Sequence, residues 1–335
     1  MLYQFLAYYG GEKDLGKMKV EILSKGDIER IHKASLKVLE KTGVQFRNDK
    51  ALNYLENYGC IVDRKNQIAK MPEAVVNEFM KEAKPGDRWI NRNFKPIPER
   101  EVYFSTFGEG TYMTDRNGAA HPSTYKDQEN VLIVGNSLPA VDGPSGAVAA
   151  RDIPPWKTHF EGTVRYWNIV SNPNKAIRGP GGDTDEKMAV AIEMCSILAG
   201  GKEELMRNPI ISGGVCPTSP LVWPGPGLDS IIQAAKNGMN TWTINMAVSG
   251  STAPMSLAGT LVIHNSEMLS FEVFSQIVAH DAGWKGIVGH IGCSATTMDV
   301  RKGYCPVGNP EMALINACAM ELAQYYNCPN TSAGA

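Results

Sequence analysis

The chain has 335 residues, 43% hydrophobic and 20% charged, with a formal net charge of −2. That length accommodates one barrel-sized domain with an N-terminal extension, and the charge gives no attraction for nucleic acid or an anionic membrane. No apolar run reaches the roughly 20 residues of a spanning helix, and the seven cysteines lack C-x-x-C spacing, which argues against a disulfide framework or a zinc knuckle.

Residues 1–17 open on the apolar Met1–Leu6 without a preceding basic region or a following cleavage site. Met18 precedes a cleaner helical pattern, so 1–17 read as an upstream-start extension and the cytoplasm as the expected compartment. Residues 18–98 read as an N-terminal helical cap. Ser24 and Asp27 introduce a helix carrying Ile28, Ile31, Leu36 and Leu39 and stopping at Thr42-Gly43. A second helix bears Ala51, Leu52, Leu55 and Tyr58 before Gly59, and a third starts at Pro72 and repeats Val75, Val76, Phe79 and Met80. Short strands are expected at Val44–Phe46 and Cys60–Val62.

Residues 99–335 alternate strand and helix signals. Strands are expected at 102–107, 140–143, 175–178, 209–213, 241–246, 286–291 and 329–333, and helices near 124–137, 157–171, 184–199, 228–238, 256–281 and 310–327. The spacing suits a doubly wound sheet or a (β/α)8 barrel. The dinucleotide glycine fingerprint is missing after every strand, and small polar residues gather past several of them, which favours the barrel. Seven strands leave it one short, so the expected fold is an α/β class, C-terminally incomplete TIM barrel.

In such a barrel the residues past the strands carry the chemistry. They are Phe107, Glu109 and Tyr112, Asp142 and Ser145, Trp156, Asp183, Cys216 to Ser219, Trp223, Asn245, Ser249, Ser251 and Thr252, and His290 to Ser294 with Gly292 among them. Lys175 and Lys285 stand at strand starts, against a Schiff-base enzyme. Paired carboxylates for glycoside hydrolysis and a compact metal-ligand set are not evident. His290 serves equally as a core histidine or a catalytic one, and Cys216 and Cys293 read first as inert buried thiols, second as nucleophiles or soft-metal ligands. Phe107, Tyr112, Trp156 and Trp223 are packing residues or a cage for a cationic amine.

The run Ile244–Leu261, containing Gly250-Ser251-Thr252-Ala253-Pro254-Met255-Ser256-Leu257-Ala258-Gly259 and followed by His264-Asn265-Ser266-Glu267, resembles the trimethylamine methyltransferase (MttB) superfamily. That family has a G-x-T-A-P-x-x-L-A-G run leading into an N-A-E helix; Ser266 departs from its alanine. Further matches are Ile31–Ala34 with Thr42–Val44, Asp152–Pro154, Cys216–Leu221 and Gly308–Glu311. The resemblance implies a (β/α)8 barrel moving a methyl group from trimethylamine to the Co(I) of a corrinoid (cobalamin) carried by a cognate partner protein, as in methylamine-based methanogenesis. It also implies a homo-oligomer, no metal bound by this chain, and substrate- or corrinoid-facing roles for the strand-end residues above. Trimethylamine members carry pyrrolysine after a strand similar to Ser332–Ala335, so the catalytic residue is expected immediately after Ala335, the chain reading as truncated at an amber codon.

Three alternatives stay open. One is a relative without pyrrolysine that demethylates glycine betaine or another quaternary amine, with Arg151 or Arg178 for the carboxylate. Another is a zinc site using His290, Cys216 or Cys293. The last is an inactive, truncated fragment.

Overall fold

The computed structural model of the chain describes residues 21–86, 89–99, 102–106, 108, 110–154, 167–177 and 184–332. Helix α1 (Lys25–Lys37) begins with a capping box in which Ser24 and Asp27 bond each other's backbone N–H. It passes through a π turn, Val38–Thr42, and stops at Gly43 (φ 79), where a Cβ would meet the Ala69 carbonyl oxygen at 2.7 Å. There follow β1 (Val44–Phe46), α2 (Asp49–Asn57) capped by Asn48, β2 (Ile61–Asp63), β3 (Ile68–Lys70) and α3 (Glu73–Met80). The expected helices and strands of this region are present. Strand β3 was not expected; Asp63 accepts the Asn66 N–H at 3.2 Å and turns the chain back onto β2.

Hairpin β4 (Tyr112–Thr114) and β5 (Ala120–Pro122) folds around Asp115, which accepts from the backbone N–H of Asn117 and Ala119. It precedes α4 (Tyr125–Ser137). Next come α5 (Asp185–Ala199), α6 (Lys202–Arg207), β6 (Ser212–Gly214), β7 (Val222–Trp223), α7 (Gly225–Lys236), β8 (Asn240–Asn245), β9 (Val248–Ser249) and α8 (Leu257–Asp281). The described chain closes with β10 (Gly289–Cys293), β11 (Thr296–Thr297), α9 (Pro310–Tyr325) and β12 (Asn330–Ser332). Asn309 caps α9 by accepting the Met312 N–H at 2.6 Å, with Pro310 in its first turn as expected. Of the helix expected over 157–171, only 167–171 are described.

Strands β6, β8, β10 and β12 form a parallel sheet in chain order, with α7, α8 and α9 as the successive connections. A doubly wound sheet reverses its order at a switch point; these four strands do not. The architecture is mixed α/β with a parallel sheet. Where three earlier strands were expected, the described residues show a parallel bridge of Ser105 with Gly143 and a few bonds, among them Asp142 N to Phe104 O (2.7 Å) and Ala176 N to Asp142 O (2.7 Å). These segments lie side by side in chain order without forming a ladder. Among the described residues, no helix is long and apolar enough to cross a membrane.

Alternate residues of a strand face opposite sides, and the register assigns the sides here. A Cβ on Gly213 would come within 2.3 Å of the Ser230 carbonyl oxygen on α7, and one on Gly289 within 1.7 Å of a Glu272 carboxyl oxygen on α8. Ser332 Oγ donates to Asn316 on α9 at 3.3 Å. Gly213, Thr241, Thr243, Asn245, Gly289, Ile291, Cys293 and Ser332 therefore face the helices, while Ser212, Gly214, Trp242, Ile244, His290, Gly292 and Thr331 form the opposite, inner face.

Helix α8 is the centre of packing. It touches α1, α3, α7 and α9, and eighteen of its 25 residues are buried. Its apolar side chains Phe271, Phe274, Ile277 and Val278 share one core with Leu39, Phe46, Leu52 and Val76 of the N-terminal region. Burial on every side is the mark of a central helix, yet this one also buries His264, Asn265, Glu267, Glu272 and Gln276. The Gln276 amide donates to Glu272 (2.6 Å) and to the Ile287 carbonyl (2.9 Å). Among the described residues, the second Glu272 oxygen, Thr241 Oγ1 and Ser275 Oγ are buried without a hydrogen-bond partner.

Gly289→Ala is expected to lower stability by roughly 1–3 kcal/mol, because the added methyl overlaps a carboxyl that has no room to retreat. An unchanged urea midpoint would show that Glu272 swings aside freely. Burial pushes the Glu272 carboxyl up to about 7 from 4.5, against the hydrogen bond from Gln276. Such an acid stays protonated in the fold while the unfolded chain ionises, so stability falls as pH rises from about 4.5 to about 7 and levels off above. Thermal unfolding between pH 5 and pH 8 should show this fall in Tm, shallower in Glu272→Gln. Equal slopes in the two proteins would assign the dependence to other groups.

Candidate active site

The C-terminal ends of β6, β8 and β10 open into three loops that meet at one edge of the sheet. After β8 and β10 the chain pairs again as β9 with β11, a two-stranded parallel extension held by Thr296 N to Ala247 O (3.1 Å) and Met298 N to Ser249 O (3.1 Å). Ser249 Oγ donates to the carbonyls of Pro254 (3.1 Å) and Met255 (2.9 Å), and Thr252 Oγ1 accepts the Val248 N–H (2.9 Å). These bonds close the Gly250–Ser256 loop, whose Gly250 has φ 82, directly ahead of α8. Ser256 then caps α8 by accepting the Gly259 N–H at 3.2 Å.

The loop after β6 makes a narrow turn. Thr218 N bonds Val222 O at 2.8 Å, and Leu221 sits inside at φ 61. A left-handed conformation costs a non-glycine residue roughly 1–2 kcal/mol and persists where surrounding bonds fix it. Two such bonds are present: Gln45 N donates to Leu221 O (2.9 Å), and Leu221 N donates to a Glu267 oxygen (2.7 Å). The other Glu267 oxygen accepts Ser219 Oγ at 3.0 Å and the Asn245 amide. Desolvation pushes Glu267 up to about 7, while its three donors pull the other way.

The inner face lies below this edge. The Trp242 indole lies against Gly214, where a Cβ would come within 2.6 Å of the ring, and Ile244 packs over Gly292 in the same way at 2.5 Å. His290 is half-buried beside them and shares a 2.5 Å hydrogen bond with Thr331 Oγ1. Exposed apolar side chains rise from the loops above: Met246, Met255, Val300, Tyr304 and Val307.

The residues expected from sequence divide accordingly. Cys216, Ser219, Ser249, Ser251 and Thr252 lie in or at the edge of the loops, and His290 and Gly292 on the inner face. Three placements need correction. Trp223, expected to face a ligand, is wholly buried; its ring packs beside Phe46 and Phe271 and its indole N–H donates to Ser270 Oγ (3.0 Å). Asn245, also expected to face a ligand, is fully buried on the helix side, because it shares the parity of Thr241 and Thr243. Tyr112 is exposed on the β4–β5 hairpin, not just past a sheet strand.

Asp142 accepts the Phe104 N–H at 2.9 Å, and Ser145 bonds Thr106, so both brace backbone. Arg151 is exposed. Lys175, expected at a strand start, lies in a bend and is buried, with its ammonium on the Leu138 carbonyl at 2.5 Å. Phe107, Glu109, Trp156, Arg178 and Asp183 lie outside the described residues, as do residues 333–335.

His290 and Cys293 face opposite sides of β10, so one metal ion cannot gather both. Burial pushes the Cys293 thiol up to about 12, far from a thiolate nucleophile. Among the described residues, no three histidine, cysteine or acidic side chains converge as metal ligands. Glu267 was missed as a site residue. Its signal was an acidic residue inside a helical run too apolar to leave it in water.

The family model described as trimethylamine methyltransferase (MTTB) matches residues 13–335. Trimethylamine methyltransferase MttB of Desulfitobacterium hafniense (strain DSM 10664 / DCB-2) is 32% identical over 312 residues, which cover 92% of this chain and 61% of that protein. Trimethylamine methyltransferase MttB of Methanosarcina barkeri (strain Fusaro / DSM 804) is 28% identical over 342 residues, covering 97% of this chain and 66% of the relative. Glycine betaine methyltransferase of Desulfitobacterium hafniense (strain Y51) is 25% identical over 321 residues, covering 94% and 64%. The chain thus spans somewhat under two thirds of the length of these relatives.

Proposed function

The chain belongs to the trimethylamine methyltransferase (MTTB) family, and from that membership we propose that it acts in an enzyme moving a methyl group from trimethylamine to the Co(I) of a corrinoid held by a separate protein. The observation that carries this reading is the match over nearly the whole chain, which includes the Gly250–Gly259 run spanning the loop after β9 and the first residues of α8. The fold in this reading is a (β/α)8 barrel. In that reading the consecutive strands β6, β8, β10 and β12 would be an arc of its wall, and the neighbouring segments 104–106, 142–143 and 176–177 would belong to the remainder.

The corrinoid supplies a strong nucleophile that accepts the methyl group. The amine would react as trimethylammonium: the carbon–nitrogen bond would break with its pair on nitrogen, which already carries a proton, so neutral dimethylamine would leave. The work of this chain is to orient the amine and keep water away, where placement counts for much of the rate. Trp242 offers an indole face on the inner wall for a methylated ammonium, in place of the buried Trp223. The exposed Met246, Met255, Val300, Tyr304 and Val307 give the sheet edge an apolar surface suited to a partner protein.

The test is methyl transfer by the native protein with its corrinoid partner reduced to Co(I), offering trimethylamine and glycine betaine in parallel. Loss of the Co(I) absorbance with release of dimethylamine is expected from trimethylamine alone. The 25% identical glycine betaine methyltransferase supports a second reading, which transfer from betaine alone would favour. Transfer from neither would overturn both.

A further inference from the structure

Glu267 reaches the sheet edge from behind. It lies ten residues past the start of α8, roughly 15 Å along the helix, and is fully buried. Both of its oxygens are engaged. One accepts the Leu221 N–H at 2.7 Å; the other accepts Ser219 Oγ at 3.0 Å and the Asn245 amide, which is itself 3.3 Å from Ser219 Oγ.

The orientation of the Asn245 amide is fixed, because its Oδ1 accepts the Ala247 N–H at 3.0 Å, where the chain leaves β8. The main-chain oxygen of Asn245 accepts Ser294 N at 2.8 Å, where the chain leaves β10. The carboxyl thus bonds the loop after β6 and the end of β8 directly, and the chain leaving β10 bonds the same Asn245. The Thr218–Val222 closure makes 219–221 move as a unit, and Leu221 holds its left-handed conformation between Glu267 and Gln45. An acid serving only to fill this space would be replaceable by an apolar side chain. Here both oxygens meet donors, two from the loop after β6 and one from the end of β8, and buried donors left unmatched are costly.

We propose, on the basis of the functional reading above, that Glu267 is a positioning residue of the methyl-transfer site, setting the 218–222 turn against the loop after β8 through Ser219, Leu221 and Asn245. It touches neither substrate nor corrinoid, and acts by fixing the geometry of the groups that do.

The test exchanges donor for acceptor. Glu267→Gln turns an NH₂ onto either the Asn245 NH₂ or the Leu221 N–H, donor against donor, and Asn245→Asp sets two carboxyls face to face. The double variant Glu267→Gln/Asn245→Asp restores one donor and one acceptor, and the aspartate still accepts the Ala247 N–H. In the native protein with its corrinoid partner, each single change is expected to lower kcat for trimethylamine about 30- to 100-fold, with KM changed far less. The double variant should recover to within about tenfold of the unaltered enzyme.

Hydrogen exchange at the Leu221 amide should quicken in each single variant and slow again in the double. A double variant as impaired as the worse single, or full activity in Glu267→Gln, would overturn the proposal. If the unaltered protein transfers no methyl group, the functional reading falls by itself. The Leu221 exchange pattern then decides the clamp, which unchanged protection in both singles would refute.

Discussion

Helix α8 has to be closed to solvent on nearly every side while burying two carboxylic acids, a histidine and two amides. A buried carboxyl is tolerated when its lone pairs are met by donors or when it keeps its proton, and the two acids of α8 take these two routes. Glu267 is met by three donors from strand-end loops. Glu272 has one donor, from Gln276, and its other oxygen lies against the bare α-carbon of Gly289. The surroundings of α8 follow from these needs: the turn at Leu221, the absence of a side chain at residue 289, and the Asn245 amide turned toward the helices. His264 completes the pattern, since burial lowers it to about 4 and leaves it neutral near pH 7.

The same helix joins the two ends of the described chain. On one side it packs against α1, where Asn265 donates to Ser35 Oγ (2.9 Å) and Tyr326 Oη (3.0 Å), the latter also 2.9 Å from His32 Nδ1. On the other it carries the loops of the sheet edge. Groups from α1, α8 and the end of α9 therefore share one polar junction, while aromatic rings from β1, β7 and α8 share one apolar core. Burial of Trp223 belongs to that core. A tryptophan with its N–H satisfied and its ring enclosed contributes on the order of 3–5 kcal/mol as packing, and no ring face is left over for a ligand.

Much of the helical architecture was legible in the sequence because its signals are local. Asn309-Pro310 announces α9, Ser256 the start of α8, and Gly43 the end of the first helical segment. The helix-facing side of β8 was not legible. A strand buried on both faces shows no alternation of polar and apolar residues, so Thr241, Thr243 and Asn245 gave no hint of pointing toward the helices instead of the inner wall. The β4–β5 hairpin was passed over because 102–107 and 112–114 sit close together and were read as one strand and its exit. Among the described residues, the strands expected at 102–107, 140–143 and 175–178 show one bridge and a few bonds, because pairing depends on neighbours far away in sequence, which composition does not reveal. Glu267 was visible only as part of a resemblance; its role depends on Ser219, 48 residues away, and on Asn245, 22 residues away.

Strand β1 lies between β3 and β7, pairing antiparallel with one and parallel with the other. Two residues of β7 are thus stitched to a strand almost 180 positions earlier, immediately after the turn that holds Ser219 and Leu221. An inherited change in the register of β1 would pull on that turn through Gln45. The N-terminal segment and the loop after β6 are therefore mechanically joined, so that a change in one strand bears on the fit of the other. Recombination between related proteins would have to carry residues 44–46 and 221–223 together to keep the edge intact.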